Sequence, residues 1–390
     1  MTYSILIYCP DQHIQYRADT PDTEGVGGGV TARIRLAQAL AGLGHQVIVL
    51  SHVPEPHTSQ GATFLPLDQA RETREVDVLL LTTSGGGLNL EPALSLPVQA
   101  RLREVWVHGT IPVKGLEALD PDRVVAVSNF IRRVARDEWG LGEEKLAVIH
   151  NGFHPYPGLL SSEVSWERDP YALVYTSHPS KGLQSALKVL RRLRKRDDRY
   201  TLHVYGGYEL WGEKERAPDQ QPGVIYHGMV GQREVARALR TASYSLHLQS
   251  RLEPFALSLV EALGYGCIPI VSPVGGNREA VRHGVNGMWV EGDHESRRTQ
   301  RRAAEVIHAL TRARDFSVYL RTNARSIPWT WENQARVWAA HWERELGEGG
   351  QVLEGSGLRC SRCGGRWLLA ADGYHCTGCG YYSLEGSESG

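Results

Sequence analysis

Short apolar runs, each closed by glycine or proline and most followed by a stretch of helical spacing, recur along the first three quarters of the chain. Residues 4–9 end at Pro10 and read as a buried strand. A polar loop over residues 11–24 leads to the glycine turn at 25–29, after which Ile34, Ala37, Leu40 and Ala41 mark one face of a helix. Gly44 ends that helix, and a second strand covers 46–50. This order predicts a doubly wound parallel sheet, with further strands at 76–81, 104–108, 123–127 and 145–149. The Asn151-Gly152 turn and a proline-bearing stretch at 154–169 form a linker.

The alternation then starts again. Strands are predicted at 171–175, 201–205, 224–227, 243–249 and 268–271, with a helix at 183–196 and glycines after several strand ends. A last helix, entered at Trp329 and ending near Leu346, carries Trp331, Trp338 and Trp342 towards another surface. Two Rossmann-like domains of α/β class, 1–155 and 165–330, are therefore expected to face a cleft, where pockets concentrate. A linker at 347–357 and a small module at 358–384 follow.

Composition narrows the function. The chain has 390 residues, 41% hydrophobic and 22% charged, enough for two buried cores. With 43 basic against 44 acidic residues, attachment to nucleic acid through bulk charge is disfavoured. No apolar run reaches the ~20 residues that cross a bilayer, and residues 1–5 lack the basic segment of a secretion signal, so a cytoplasmic protein is expected. Lys188, Arg191, Arg192, Arg194, Lys195 and Arg196 crowd one helix face; such runs are mostly solvated, with weak contact to the inner membrane face as the alternative.

Candidate chemistry concentrates in residues 253–261. Pro254 suits a first helical turn, and the N–H groups of Phe255, Ala256 and Leu257 would then lack intrahelical acceptors and could hold a phosphate. Glu253 and Glu261 lie about two turns apart on such a helix, placed for hydroxyl groups. The plainer reading of the pair is an acidic first turn and a solvated carboxylate. His108, beside Gly109, ends a predicted strand where open α/β sheets bind ligands, although a lone histidine is more often a structural donor. Asp120-Pro-Asp122 matches an Asp-x-Asp metal pattern but fits a turn better. The glycines at 25–29 stand too far from the preceding strand for the dinucleotide fingerprint.

Cys360, Cys363, Cys376 and Cys379 form two Cys-x2-Cys pairs, a tetrahedral sulfur set for Zn2+. Gly364, Gly378 and Gly380 permit the tight turns, and a reducing cytosol disfavours disulfides. Metal binding should drive folding of so small a ribbon. With Arg359, Arg362 and Arg366 as its only basic residues, it suits protein contact or stabilisation better than nucleic-acid binding.

Together these motifs resemble the GT-B fold glycosyltransferases, in particular the family-4 group of retaining, nucleotide-sugar-dependent enzymes. The resemblance covers residues 1–345 and rests on Gly27-Gly28-Gly29 before residues 36–45, Val127-Ser128-Asn129, Asn151-Gly152, Lys181-Gly182, residues 253–263, and Gly275-Gly276-Asn277 with Glu279. It implies that Glu261 holds the ribose of the donor nucleotide while Glu253 approaches the donor sugar. It also implies that Lys181, Gly28, Gly29 and the N–H groups near Ala256 and Leu257 stabilise the departing diphosphate, that His108 lies near the reacting sugar, and that Gly228, Met229 and Val230 underlie the base. No catalytic metal is implied. Relatives place an arginine five or six residues before the lysine; Tyr175 or Thr176 stands there, with His178 as the candidate substitute. The expected partner is a nucleotide-sugar donor, the acceptor being a saccharide, a lipid-linked or another molecule. A nucleic-acid-associated protein, with the ribbon as binding module or nucleic acid as acceptor, is the second reading.

Overall fold

The structure is a computed structural model that describes residues 1–83, 88–160, 167–216 and 220–347, together with the backbone of three short strands beyond them. Met1–Ala18, Gly29–Gly152 and the chain from Pro328 on form one compact unit; Asp19–Gly28 and Phe153–Ile327 form the other. Among the described residues, no helix is long and apolar enough to cross a membrane.

The sheet of the first unit comprises β1 (Ser4–Tyr8), β2 (Gln46–Ser51), β3 (His57–Ser59), β4 (Ala62–Pro66), β5 (Arg74–Thr82), β6 (Val98–Val107), β7 (Arg123–Ala126) and β8 (Leu146–Val148). Their order is β3-β4-β2-β1-β5-β6-β7-β8, parallel throughout except for the β3–β4 hairpin. β1 lies mid-sheet and Ile5, Leu6 and Ile7 are fully buried, which accounts for its unbroken apolar run. The helix Gly28–Gly42 buries Ile34, Ala37 and Leu40 as its spacing predicts, but also Arg33, Arg35 and Gln38. The short β3–β4 hairpin and the first six residues of β6 carried no strong apolar signal and were not expected as strands.

The helix Trp331–Glu345 also belongs to the first unit. Thr330 caps it by accepting from the Asn333 N–H at 3.2 Å. Trp331, Trp338 and Trp342 are fully buried, with Trp338 edge-on to Trp106 at 5.6 Å. The Asn151-Gly152 turn abuts the start of this helix so closely that a Cβ on Gly152 would come 2.7 Å from the Trp331 nitrogen. Glu104, wholly buried in β6, accepts from His341 Nε2 at 2.6 Å and Trp342 Nε1 at 2.8 Å.

In the second unit, β9 (Asp169–Thr176), β10 (Thr201–Tyr205), β11 (Val224–Gly228), β12 (Ala242–His247), β13 (Ile268–Val271) and β14 (Met288–Trp289) form an all-parallel sheet. The order is β11-β10-β9-β12-β13-β14. The helices Leu183–Arg194 and Arg297–Arg312 pack together over it, joining Leu187, Leu190, Ile307 and Leu310 in one core. Several of the basic side chains of the first helix are occupied by the chain itself: Arg191 donates to Gln221, Arg194 to the Tyr200 carbonyl at 2.7 Å, and Arg196 faces Glu305. The segment Asp19–Gly28 lies against the turn after β11. A Cβ on Gly231 would meet the Asp22 carbonyl oxygen at 1.9 Å, and one on Gly25 the Val230 oxygen at 2.3 Å.

Beyond residue 347, β15 (Trp367–Ala370), β16 (Gly373–Cys376) and β17 (Tyr382–Ser383) form an antiparallel sheet with Trp367 opposite Cys376. Cys360, Cys363 and Cys379 lie outside the described residues, as does the side chain of Cys376.

Replacing Glu104 with alanine strands two buried donors. Glu104→Ala should lower stability by about 3 kcal/mol, read as a fall in the urea midpoint.

Candidate active site

The C-terminal ends of β9 and β12 bring the site residues of the second unit together. After β9, the chain forms a short 3-10 turn, Pro179–Lys181, whose N-cap His178 accepts from the Ser180 N–H. Gly182 follows with φ +99°, and a Cβ there would sit 1.8 Å from the Leu248 carbonyl oxygen. Only glycine permits that approach, which sets Lys181 against the chain leaving β12.

Lys181 Nζ donates to both carboxylate oxygens of Glu253, at 3.1 and 2.9 Å. Gln249 Nε2 donates to Oε2 of the same carboxylate at 3.0 Å. Glu253 is only 5% exposed, so ammonium and amide replace the water it has lost. His247 stands close by in charge terms; burial pushes its ring down to about 4, with the Lys181 ammonium adding to that and the Glu253 carboxylate opposing it. Neither Gln249 nor His247 stood out in the sequence, where both sit inside an apolar run.

Pro254 does not open the helix. The Glu253 carbonyl accepts from the Gly276 N–H at 2.7 Å instead of from a helical amide, which ties residues 253–256 to the glycine loop. Gly275 has φ +56°, and a Cβ there would lie 2.3 Å from that carbonyl oxygen. The helix therefore starts at Leu257, runs to Gly264, and takes Ala256 as an N-cap without a side-chain hydrogen bond. Phe255 is buried ahead of the first turn, so the helix-terminal amides are those of Leu257 and Ser258 rather than Phe255 and Ala256.

Glu261 lies within this helix and accepts from Gln232 Nε2 at 2.6 Å. Both line a shallow depression with His154, Tyr156, Leu239 and Tyr265. Gln232 starts the helix after the turn that holds Met229 and Val230, so the turn under the expected base and the expected ribose carboxylate are joined by one hydrogen bond. Gly28, the first residue of the helix Gly28–Gly42, also groups with this unit; a Cβ on it would touch Leu257 Cδ1 at 3.3 Å. Gly29 groups with the first unit.

His108 follows β6 in the first unit, its ring 4.3 Å from that of Trp106. Burial, and then the Arg33 guanidinium, push it down to about 3. Arg33 is 1% exposed; its Nε donates to the Tyr16 hydroxyl at 2.9 Å. A guanidinium beside the candidate histidine was not legible in a helix read by its apolar stripe. Asp120 pairs with Lys145, whereas Asp122 accepts from the Arg103 N–H at 2.7 Å. The two carboxylates thus serve separate partners around a left-handed turn at Asp120, φ +40°.

Residues 165–326 match the sequence model of the family described as glycosyl transferases group 1. An uncharacterized glycosyltransferase of Methanocaldococcus jannaschii is 23% identical over 192 residues, 45% of this chain and 48% of that protein. The chain thus spans about half the length of that relative. Among solved structures, the sucrose-phosphate synthase of Thermosynechococcus elongatus superimposes with a TM-score of 0.64 at 15% identity, over 88% of this chain and 99% of the other. The Anabaena protein HepE, in complex with UDP and glucose, gives 0.59 at 16% identity, over 87% and 99%. The fold, with its two parallel-sheet domains, is that of the GT-B glycosyltransferases.

The shift at His108 has a definite sign. Its folded value lies below the ordinary imidazole value of ~6.5, so the neutral ring stabilises the fold above that pH, and the contribution is lost as pH falls from about 6.5 towards 3. His108→Phe should flatten the dependence of unfolding free energy on pH between 6.5 and 4, measured by urea titration.

Proposed function

We propose that the protein transfers a glycosyl group from a nucleotide-diphosphate sugar to an acceptor hydroxyl, with retention at the anomeric carbon. The observation that carries this reading is the convergence of Lys181, Glu253 and the Leu257 helix start, all within the segment matching the group 1 family. The UDP and glucose held by the Anabaena structure support a nucleoside-diphosphate sugar as donor.

In this reading the bond from the anomeric carbon to the diphosphate breaks, and one to the acceptor oxygen forms. The acceptor's proton passes to the departing phosphate, the group whose negative charge grows. Lys181 and the amides of Leu257 and Ser258 stabilise that charge, being fixed before the reaction begins. Glu253 accepts hydrogen bonds from donor sugar hydroxyls, sharing them with Lys181 and Gln249. Glu261 and Gln232 take the ribose, and Met229 and Val230 the base.

Zinc belongs to the same proposal as a structural ion apart from the chemistry. Four thiolates are the donor set it prefers. The register of Trp367 with Cys376 brings the end of the strand that carries one cysteine beside the start of the strand following the first pair in sequence. Cys360, Cys363, Cys376 and Cys379 would hold it.

Glu253→Gln and Lys181→Gln should each lower transfer by about 100-fold or more while circular dichroism and melting temperature show a folded chain. Turnover near wild type in both variants would sink the assignment. Independently, elemental mass spectrometry should find one zinc per chain, and Cys376→Ser should release it.

A further inference from the structure

This inference rests on the glycosyl-transfer reading and asks what answers the second negative charge of the donor's diphosphate. The arginine expected at 175–176 is replaced by Tyr175 and Thr176. Lys181 is already engaged by Glu253. His178 does not take over: its ring is 3% exposed and stacked on Trp211 at 3.7 Å, with Nδ1 2.8 Å from the Ser180 hydroxyl and Nε2 3.2 Å from a Glu213 oxygen.

The stack leads instead to another cation. Trp211 closes the 3-10 turn Tyr208–Trp211 after β10, and the Arg251 guanidinium lies over its ring, 5.2 Å from the centroid. Arg251 is exposed and forms no ion pair among the described residues. Its nearest rival, Arg216, stacks on Tyr208 at 4.0 Å but is paired with Glu213 at 2.9 Å. The loop bearing Arg251 is anchored on both sides, by the Gln249 N–H on the Ser272 hydroxyl at 3.2 Å and by the Glu253 carbonyl on Gly276. Arg251 is thus two residues from the carboxylate that holds Lys181, and one indole away from the histidine three residues before Lys181.

We infer that Arg251 is the second diphosphate-binding cation, standing in for the missing arginine from the other side of the site, with Trp211 holding the guanidinium in place until the ligand arrives. An indole face holds an exposed guanidinium weakly. A diphosphate offers paired, charge-assisted hydrogen bonds that a guanidinium matches in geometry. The exchange costs little burial because Arg251 starts at the surface.

Isothermal titration of the full-length protein with UDP, ADP and GDP, and with the matching nucleosides, tests this. Wild type should bind at least one diphosphate. Arg251→Gln should weaken that binding about tenfold while leaving the nucleoside unchanged, and Arg251→Lys should recover part of it. Equal diphosphate affinity in wild type and Arg251→Gln would overturn the inference and leave the functional reading standing. If wild type binds none of the three diphosphates, both fall. The melting temperature of each unliganded variant should match wild type; a lowered value for Arg251→Lys as well as Arg251→Gln would mark the residue as structural and reject the inference.

Discussion

A carboxylate buried in a protein must be answered by charge and hydrogen bonds, and the second unit is arranged around meeting that demand at Glu253. Lys181 supplies the charge and Gln249 a further donor, while the carbonyl of the same residue holds the Gly276 amide. Each partner arrives from a different element, after β9, after β12 and after β13. Gly182 and Gly275 are the points at which those chains approach too closely for any side chain. The pair leaves Lys181 poised but not free, so a ligand must compete with Glu253 for the ammonium, or share it.

Much of this was legible because its signals are local. Strand runs closed by glycines fixed both sheets, and Lys181-Gly182 and Glu253 stood out as short patterns. The helix start did not, because the group that draws the Glu253 carbonyl away from helical bonding is Gly276, on another loop. Proline propensity lost to a tertiary hydrogen bond. The β3–β4 hairpin was missed because strands so short have little room for a periodic pattern. Arg33 and Arg35 are not among the apolar residues by which their helix was read, yet both are buried, Arg33 against Tyr16 and Arg35 against Gln38. A guanidinium buried against a hydroxyl seventeen residues away looks like solvated charge in a sequence.

The first unit handles its polar groups differently. Glu104 satisfies two donors of the tryptophan helix and so ties the end of the described chain into the sheet. His108 meets no such carboxylate in its shift; burial and a neighbouring guanidinium both disfavour its protonation. One unit thus holds a compensated ion pair and the other an imidazole kept uncharged.

The grouping of Asp19–Gly28 with the second unit has a consequence for how the chain can be divided. The backbone passes between units after Ala18, after Gly28, after Gly152 and after Ile327, so neither unit is one uninterrupted length of polypeptide. A fragment starting near residue 153 would carry the second sheet but lack the strip that covers Val230 and Gly231. One ending there would lose the tryptophan helix and leave Glu104 buried without its donors. Exchanging the second unit for a relative's therefore has to move two stretches at once, residues 19–28 and 153–327.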